Sequence, residues 1–209
     1  MPRSTERPWI VIASLFCLTA SGLALEVSLT RLFSFLFVQS YVYILISLSI
    51  AGVGLGAVLM YYLSPRLRLP LIGWLPVLPP LFLLLLFAGN SGSPSVVYSL
   101  LLTFLTYLGI GAVQVQIFKE SHIGVSTLYG ADLLGAAVGS IVAFYLLNGL
   151  GGVYAIAVVV TVMALGMSGV FYFFSGKGVR TAVTAILLLA LGGGLMSYPF
   201  ESALMPEGT

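Results

Sequence analysis

WIVIASLFCLTASGLALEVSLTRLFSFLF, Trp9 to Phe37, decides the class of this chain. It is an apolar run interrupted by two ionisable residues, Glu26 and Arg31, five positions apart. A bilayer core of about 30 Å needs about 20 mostly apolar residues in a helix, and this run exceeds that. The rest of the 209-residue chain repeats the pattern: 60% of residues are hydrophobic and only 7% are charged, with 8 Lys and Arg against 6 Asp and Glu. A soluble domain carries roughly 25% charged residues, so there is too little charge here to cover a water-facing surface. A single Cys excludes a disulfide scaffold, and the apolar composition excludes intrinsic disorder. The expected fold class is all-α: a single polytopic helical domain over residues 1–209.

Seven spans are expected, near 9–37, 41–63, 70–88, 96–118, 126–147, 153–174 and 181–196. Breaks rich in polar and turn-forming residues separate most of them: SPRLRLP (64–70), GNSGSP (89–94), KESHIG (119–124), NGLGG (148–152) and SGKGVR (175–180). The first stretch is long for an upright helix and is expected to tilt, or to bend near Glu26. Six spans are the alternative, with 181–196 lying at the interface. The basic residues outside the spans are Arg3, Arg7, Arg66, Arg68, Lys119, Lys177 and Arg180, and seven-span threading puts them all on one side. The positive-inside rule makes that side the cytoplasm, with the N-terminus inside. Although Arg3 and Arg7 precede an apolar run, as in a signal peptide, the run continues too far, and an uncleaved first span is expected. Tyrosines and Trp9 near the span ends suit the membrane interfaces.

Ionisable and amide side chains inside spans are the candidate functional residues, because each costs about 2.5–3.5 kcal/mol to insert when charged. They are Glu26 and Arg31 in the first stretch, Gln114, Gln116 and Lys119 at the end of the fourth, and Asp132 in the fifth. Two mutually neutralising pairs, Glu26 with Arg31 and Asp132 with Lys119, are one expectation. A polar cavity for a cationic or zwitterionic solute is the second, and a proton relay, which no third carboxylate or buried His supports, is the third. Gly52 and Gly56 in the second span, and Gly135 and Gly139 in the fifth, have the four-residue spacing that lets helix backbones approach closely. Gly54 crowds the same stretch. AGVGLGAVLMYYL (51–63) aligns with LGAAVGSIVAFYL (134–146). This reads either as related three-span units, inverted in the membrane, or as two small-residue helices alike in composition. Pro76, Pro79 and Pro80 are expected to kink the third span. Cys17 reads as a packed helix residue and His122 as a solvated loop residue.

No phosphate-binding, zinc-protease, paired-cysteine or nucleophile-elbow motif is present, so no enzyme, cofactor or metal site is expected. A basic stripe for nucleic acid is absent as well.

LALEVSLTRLFSFLF (23–37), AGVGLGAVL (51–59) and STLYGADLLGAAVGS (126–140) together resemble the membrane region of membrane-bound spermidine synthase-like proteins. These are relatives of polyamine aminopropyltransferases, joined to a major-facilitator-like region. The resemblance spans roughly Trp9 to Met196 and touches Glu26, Thr30, Arg31, Leu32, Gly52, Gly56, Tyr129, Asp132, Gly135 and Gly139. It departs at Leu25, where an aromatic residue is more usual. It departs further because the soluble α/β domain that performs the transfer is not among these 209 residues, whether lost, carried on another chain or left out of a fragment, so the resemblance implies membrane-domain ancestry and not synthase activity. The expected role is a non-enzymatic bacterial inner-membrane subunit or anchor in a larger assembly. Its partners would be the lipid bilayer, other membrane subunits and a possible separately encoded soluble domain. A transporter-like unit for an amine or polyamine is the alternative.

Overall fold

A computed structural model describes residues 8–64, 75–89, 95–150 and 152–175. Among them are six α-helices: α1 Pro8–Leu36, α2 Ser40–Leu63, α3 Leu78–Gly89, α4 Val96–Glu120, α5 Val125–Leu150 and α6 Gly152–Ser175. A 3₁₀ turn, Leu75–Val77, leads into α3. An apolar solvent offers no partners to backbone amides, so a spanning segment satisfies them within a helix. Buried hydroxyls follow the same rule by donating to the preceding turn: Thr19 to the Leu15 carbonyl at 2.7 Å, Ser28 to Ala24 at 2.7 Å and Thr106 to Leu102 at 2.8 Å.

Four helices are long and apolar enough to cross a membrane: Pro8–Phe35, Ser40–Leu63, Val96–Glu120 and Val125–Leu150. α6 carries a shorter apolar segment, Tyr154–Val170, and α3 has only 12 residues. The expected seventh span, 181–196, lies outside the described residues. α1 is one uninterrupted helix of 29 residues, with no break at Glu26. At 1.5 Å per residue it is about 44 Å long, which calls for tilt. The expected proline kink is absent. Pro76 sits in the 3₁₀ turn, while Pro79 and Pro80 fall in the first turn of α3, where the missing amide has no helical partner to lose.

The helices pack as two three-helix bundles. In the first, α5 and α6 pack on α1; in the second, α2 and α3 pack on α4. Glycines set the closest contacts in both. A Cβ placed on Gly56 would collide with the Leu108 carbonyl, and one on Gly52 would stand 2.8 Å from the Phe104 oxygen. Across the other bundle, a Cβ on Gly139 would collide with the Ala20 carbonyl, and one on Gly135 would stand 2.7 Å from the Phe16 oxygen. The expected roles of Gly52, Gly56, Gly135 and Gly139 in packing follow directly. Gly54 is different, since it faces open space. Gly111 (against Val53), Gly109 (against Pro79), Gly166 (against Ser14, Cys17 and Leu18) and Gly169 (against the Ser14 side chain) make further close approaches.

Contact between the bundles is thinner. α1 and α4 cross where the Ile110 side chain stands against Gly22 and the buried Tyr107 hydroxyl donates to the Gly22 carbonyl at 3.0 Å. A core of leucines on α1 (Leu15, Leu18, Leu25, Leu29), Val113 and Ile117 on α4, and Met163 and Met167 on α6 surrounds that crossing.

Candidate functional site: two polar junctions

Each candidate side chain projects from a helix interior, so its neighbours are fixed by which face it occupies. Glu26 lies one turn beyond Gly22 on α1 and faces α2. Its Oε1 accepts a hydrogen bond from the Ser49 hydroxyl at 2.8 Å; the Ile46 carbonyl, 2.9 Å away, is the alternative acceptor for the same proton. Ser49 is fully buried, and Tyr107 of α4 stands beside Gly52 with its hydroxyl on the Gly22 carbonyl, one turn before Glu26. This first junction therefore joins α1 of one bundle to α2 and α4 of the other.

The second junction joins α4 to α5. Gln114 Nε2 donates to Asp132 Oδ1 at 3.5 Å, the long limit of a hydrogen bond. Gln116, on another face of α4, is 0% exposed and donates through Nε2 to Glu120, while its Oε1 has no partner among the described residues. An amide in such a place forgoes one of its hydrogen bonds, which costs about 1–3 kcal/mol.

The expected ion pairs do not form among the described residues. Glu26 and Arg31 are five residues apart on one helix, about 140° round its axis, so their side chains diverge. Arg31 reaches Asn148 of α5 instead, Nη1 donating to Oδ1 at 3.4 Å. Lys119 is likewise five residues beyond Gln114; its ammonium lies 5.4 Å from the ring centroid of Tyr61 on α2 rather than beside Asp132. Both cations therefore brace contacts within a bundle, and both carboxylates sit between bundles. No group of three metal-ligating side chains occurs among the described residues.

An open apolar groove of about 350 Å³ lies between α1 and α6, lined by Trp9, Ala13, Ser14, Cys17, Leu165 and Gly169. Cys17 is unpaired and half-buried there. His122 is exposed in the turn between α4 and α5.

Sequence reasoning missed Ser49, Tyr107, Asn148 and Tyr61 as partners. Hydroxyls and phenols are common in spans and carry no charge to draw notice. The available signal was positional, because Ser49 is one turn before Gly52 on the same face. Comparison with family models, with curated proteins and with solved structures finds no match.

Proposed function

We propose that this chain is a non-enzymatic, membrane-embedded subunit or anchor of a larger assembly. In this reading it sits in a bacterial inner membrane with its N-terminus in the cytoplasm, and its ancestry is the membrane region of spermidine synthase-like proteins. The supporting observation is the pair of outward faces on α2 and α5. Each helix spends its glycine stripe on one neighbour and leaves large side chains outside, with Ile50 65% and Leu134 63% exposed. Single exposed apolar residues are ordinary, but two long faces of this kind meet either lipid or other transmembrane helices. The test is a photo-crosslinking residue at Ile50 or Leu134 in native membranes. Adducts to a second polypeptide, with the same species retained through mild-detergent purification, are expected. Lipid adducts alone, with a lone chain after purification, would refute a subunit role.

A second reading, a transporter-like unit for a small solute such as an amine, is favoured by the two polar junctions. A chain that served only as an anchor has no use for Glu26 and Asp132 between its bundles, where each raises the cost of insertion. Loss of solute uptake on neutralising either carboxylate, with folding intact, is the test of that reading.

A further inference from the structure

The two bundles are built from the same parts. Superposing their packing matches Phe16 with Phe104 and Ala20 with Leu108, the carbonyls that face Gly135 and Gly139 and, in the other bundle, Gly52 and Gly56. That correspondence aligns α1 with α4 at an offset of 88 residues, and under it ALEVSLTR (24–31) falls on AVQVQIFK (112–119). Ala and Val recur unchanged, and Glu26 matches Gln114, Leu29 matches Ile117 and Arg31 matches Lys119. α2 aligns with α5 at an offset of 83, which places Ser49 on Asp132. The Glu26–Ser49 and Gln114–Asp132 hydrogen bonds are therefore the same contact made twice, with the carboxylate on the first helix of one repeat and on the second helix of the other.

The repeats are inverted. α1 and α2 are joined by three residues, 37–39, and so run antiparallel. α2 and α4 run parallel, because Gly52 and Gly56 step along Phe104 and Leu108 in the same direction. α1 and α4 therefore run in opposite senses, and they cross at Gly22 and Ile110, which correspond to one another under the same offset. Glu26 and Gln114 each lie four residues beyond that crossing. At 1.5 Å per residue, the two junctions stand about 6 Å to either side of it, toward opposite membrane faces.

Inverted repeats with polar contacts between them are the architecture in which one half rocks against the other. The two halves here are unequal. The Glu26–Ser49 bond is 2.8 Å and has Tyr107 packed beside Gly52, whereas the Gln114–Asp132 bond is 3.5 Å and has the smaller Thr19 beside Gly135. We infer that these junctions are two gates on opposite faces of the membrane, opened in alternation as the bundles rock about the Gly22–Ile110 crossing, with both contacts made in this structure and the Glu26–Ser49 gate the tighter. The inference rests on the transporter-like reading and supplies its moving parts.

Motion and transport are measured separately. In a Cys17→Ala background, Glu26→Cys with Ser49→Cys, or Gln114→Cys with Asp132→Cys, is joined by a short bifunctional reagent in sealed vesicles. A single cysteine at the other gate then reports access to a membrane-impermeant maleimide. Locking the Glu26–Ser49 gate is expected to raise labelling at position 132, by several-fold and from the face where α4 ends. Locking the Gln114–Asp132 gate is expected to raise labelling at position 49 from the opposite face. Labelling unaffected by either lock, or access to both positions from one face, overturns the inference. Should these variants misfold, spin labels at exposed pairs that bridge the bundles at opposite ends, Leu63 with Val125 and Val97 with Leu150, carry the test. Two distance populations that shift in opposite senses on Glu26→Ala support rocking; one narrow distance in each pair, unchanged by that substitution, refutes it. Rocking without solute uptake would retain the gates and sink only the transporter-like reading.

Discussion

Contacts inside each bundle and contacts between the bundles obey different chemistry. Inside, glycine brings carbonyl against backbone, and Arg31 and Lys119 brace the ends through Asn148 and Tyr61. Between them, the polar contacts among the described residues are one tyrosine hydrogen bond and two single side-chain pairs, at Glu26 and at Asp132, set in a core of larger side chains such as Leu25 and Val113. Dispersion packing in a bilayer gains from close approach over many atoms, and the glycine-to-backbone approaches among the described residues lie within the bundles. The difference marks two rigid units with a weakly held seam, and it puts the costly carboxylates on the seam.

The strongest way to break this contrast is to spoil a glycine contact. Gly56→Leu or Gly139→Leu forces a side chain into a facing backbone carbonyl. Overpacking of this kind costs about 1–3 kcal/mol or more, so loss of monodisperse protein in detergent is expected. Gly54→Leu, which points into open space, is expected to leave yield and Tm unchanged. Equal damage from Gly54 and Gly56 would remove the basis for the bundles.

On the seam the expected sign reverses. Asp132→Asn keeps an acceptor for Gln114 while removing a group that costs about 2.5–3.5 kcal/mol to insert when charged. A higher Tm with lost transport or assembly activity is the expected outcome; a lower Tm would recast Asp132 as structural. Gln116→Leu removes a buried acceptor that has no partner among the described residues together with the amide that donates to Glu120; the two effects oppose one another, and a change below about 1 kcal/mol in thermal unfolding is expected. Smallest of all, Tyr61→Leu removes an exposed cation–π contact, worth about 0.5–1 kcal/mol, and is expected to lower Tm slightly without altering gate accessibility.

Much of the fold was legible in the sequence because the bilayer restricts the choices. The extents of α2, α4, α5 and α6 fall within a few residues of their hydropathic limits, and the packing roles of Gly52, Gly56, Gly135 and Gly139 follow from spacing alone. The prolines misled, because Pro79 and Pro80 begin a helix that hydropathy extends back to position 70. The candidate polar residues were visible but not their partners. Pairing opposite charges assigned Arg31 to Glu26 and Lys119 to Asp132, whereas helical phase sends each cation to another helix. The second half of the repeat stayed hidden for a related reason. ALEVSLTR and AVQVQIFK share mostly class rather than identity, and the glycine contacts are needed to set the register.

Opposed orientation of the two repeats is tested most directly by labelling single cysteines at Val38, in the turn between α1 and α2, and at His122, between α4 and α5, in a Cys17→Ala background; both positions are exposed. In sealed vesicles of known sidedness, an impermeant maleimide should reach position 38 from one face and position 122 only from the other. Labelling of both from the same face would contradict the inverted arrangement and the two-gate seam built on it.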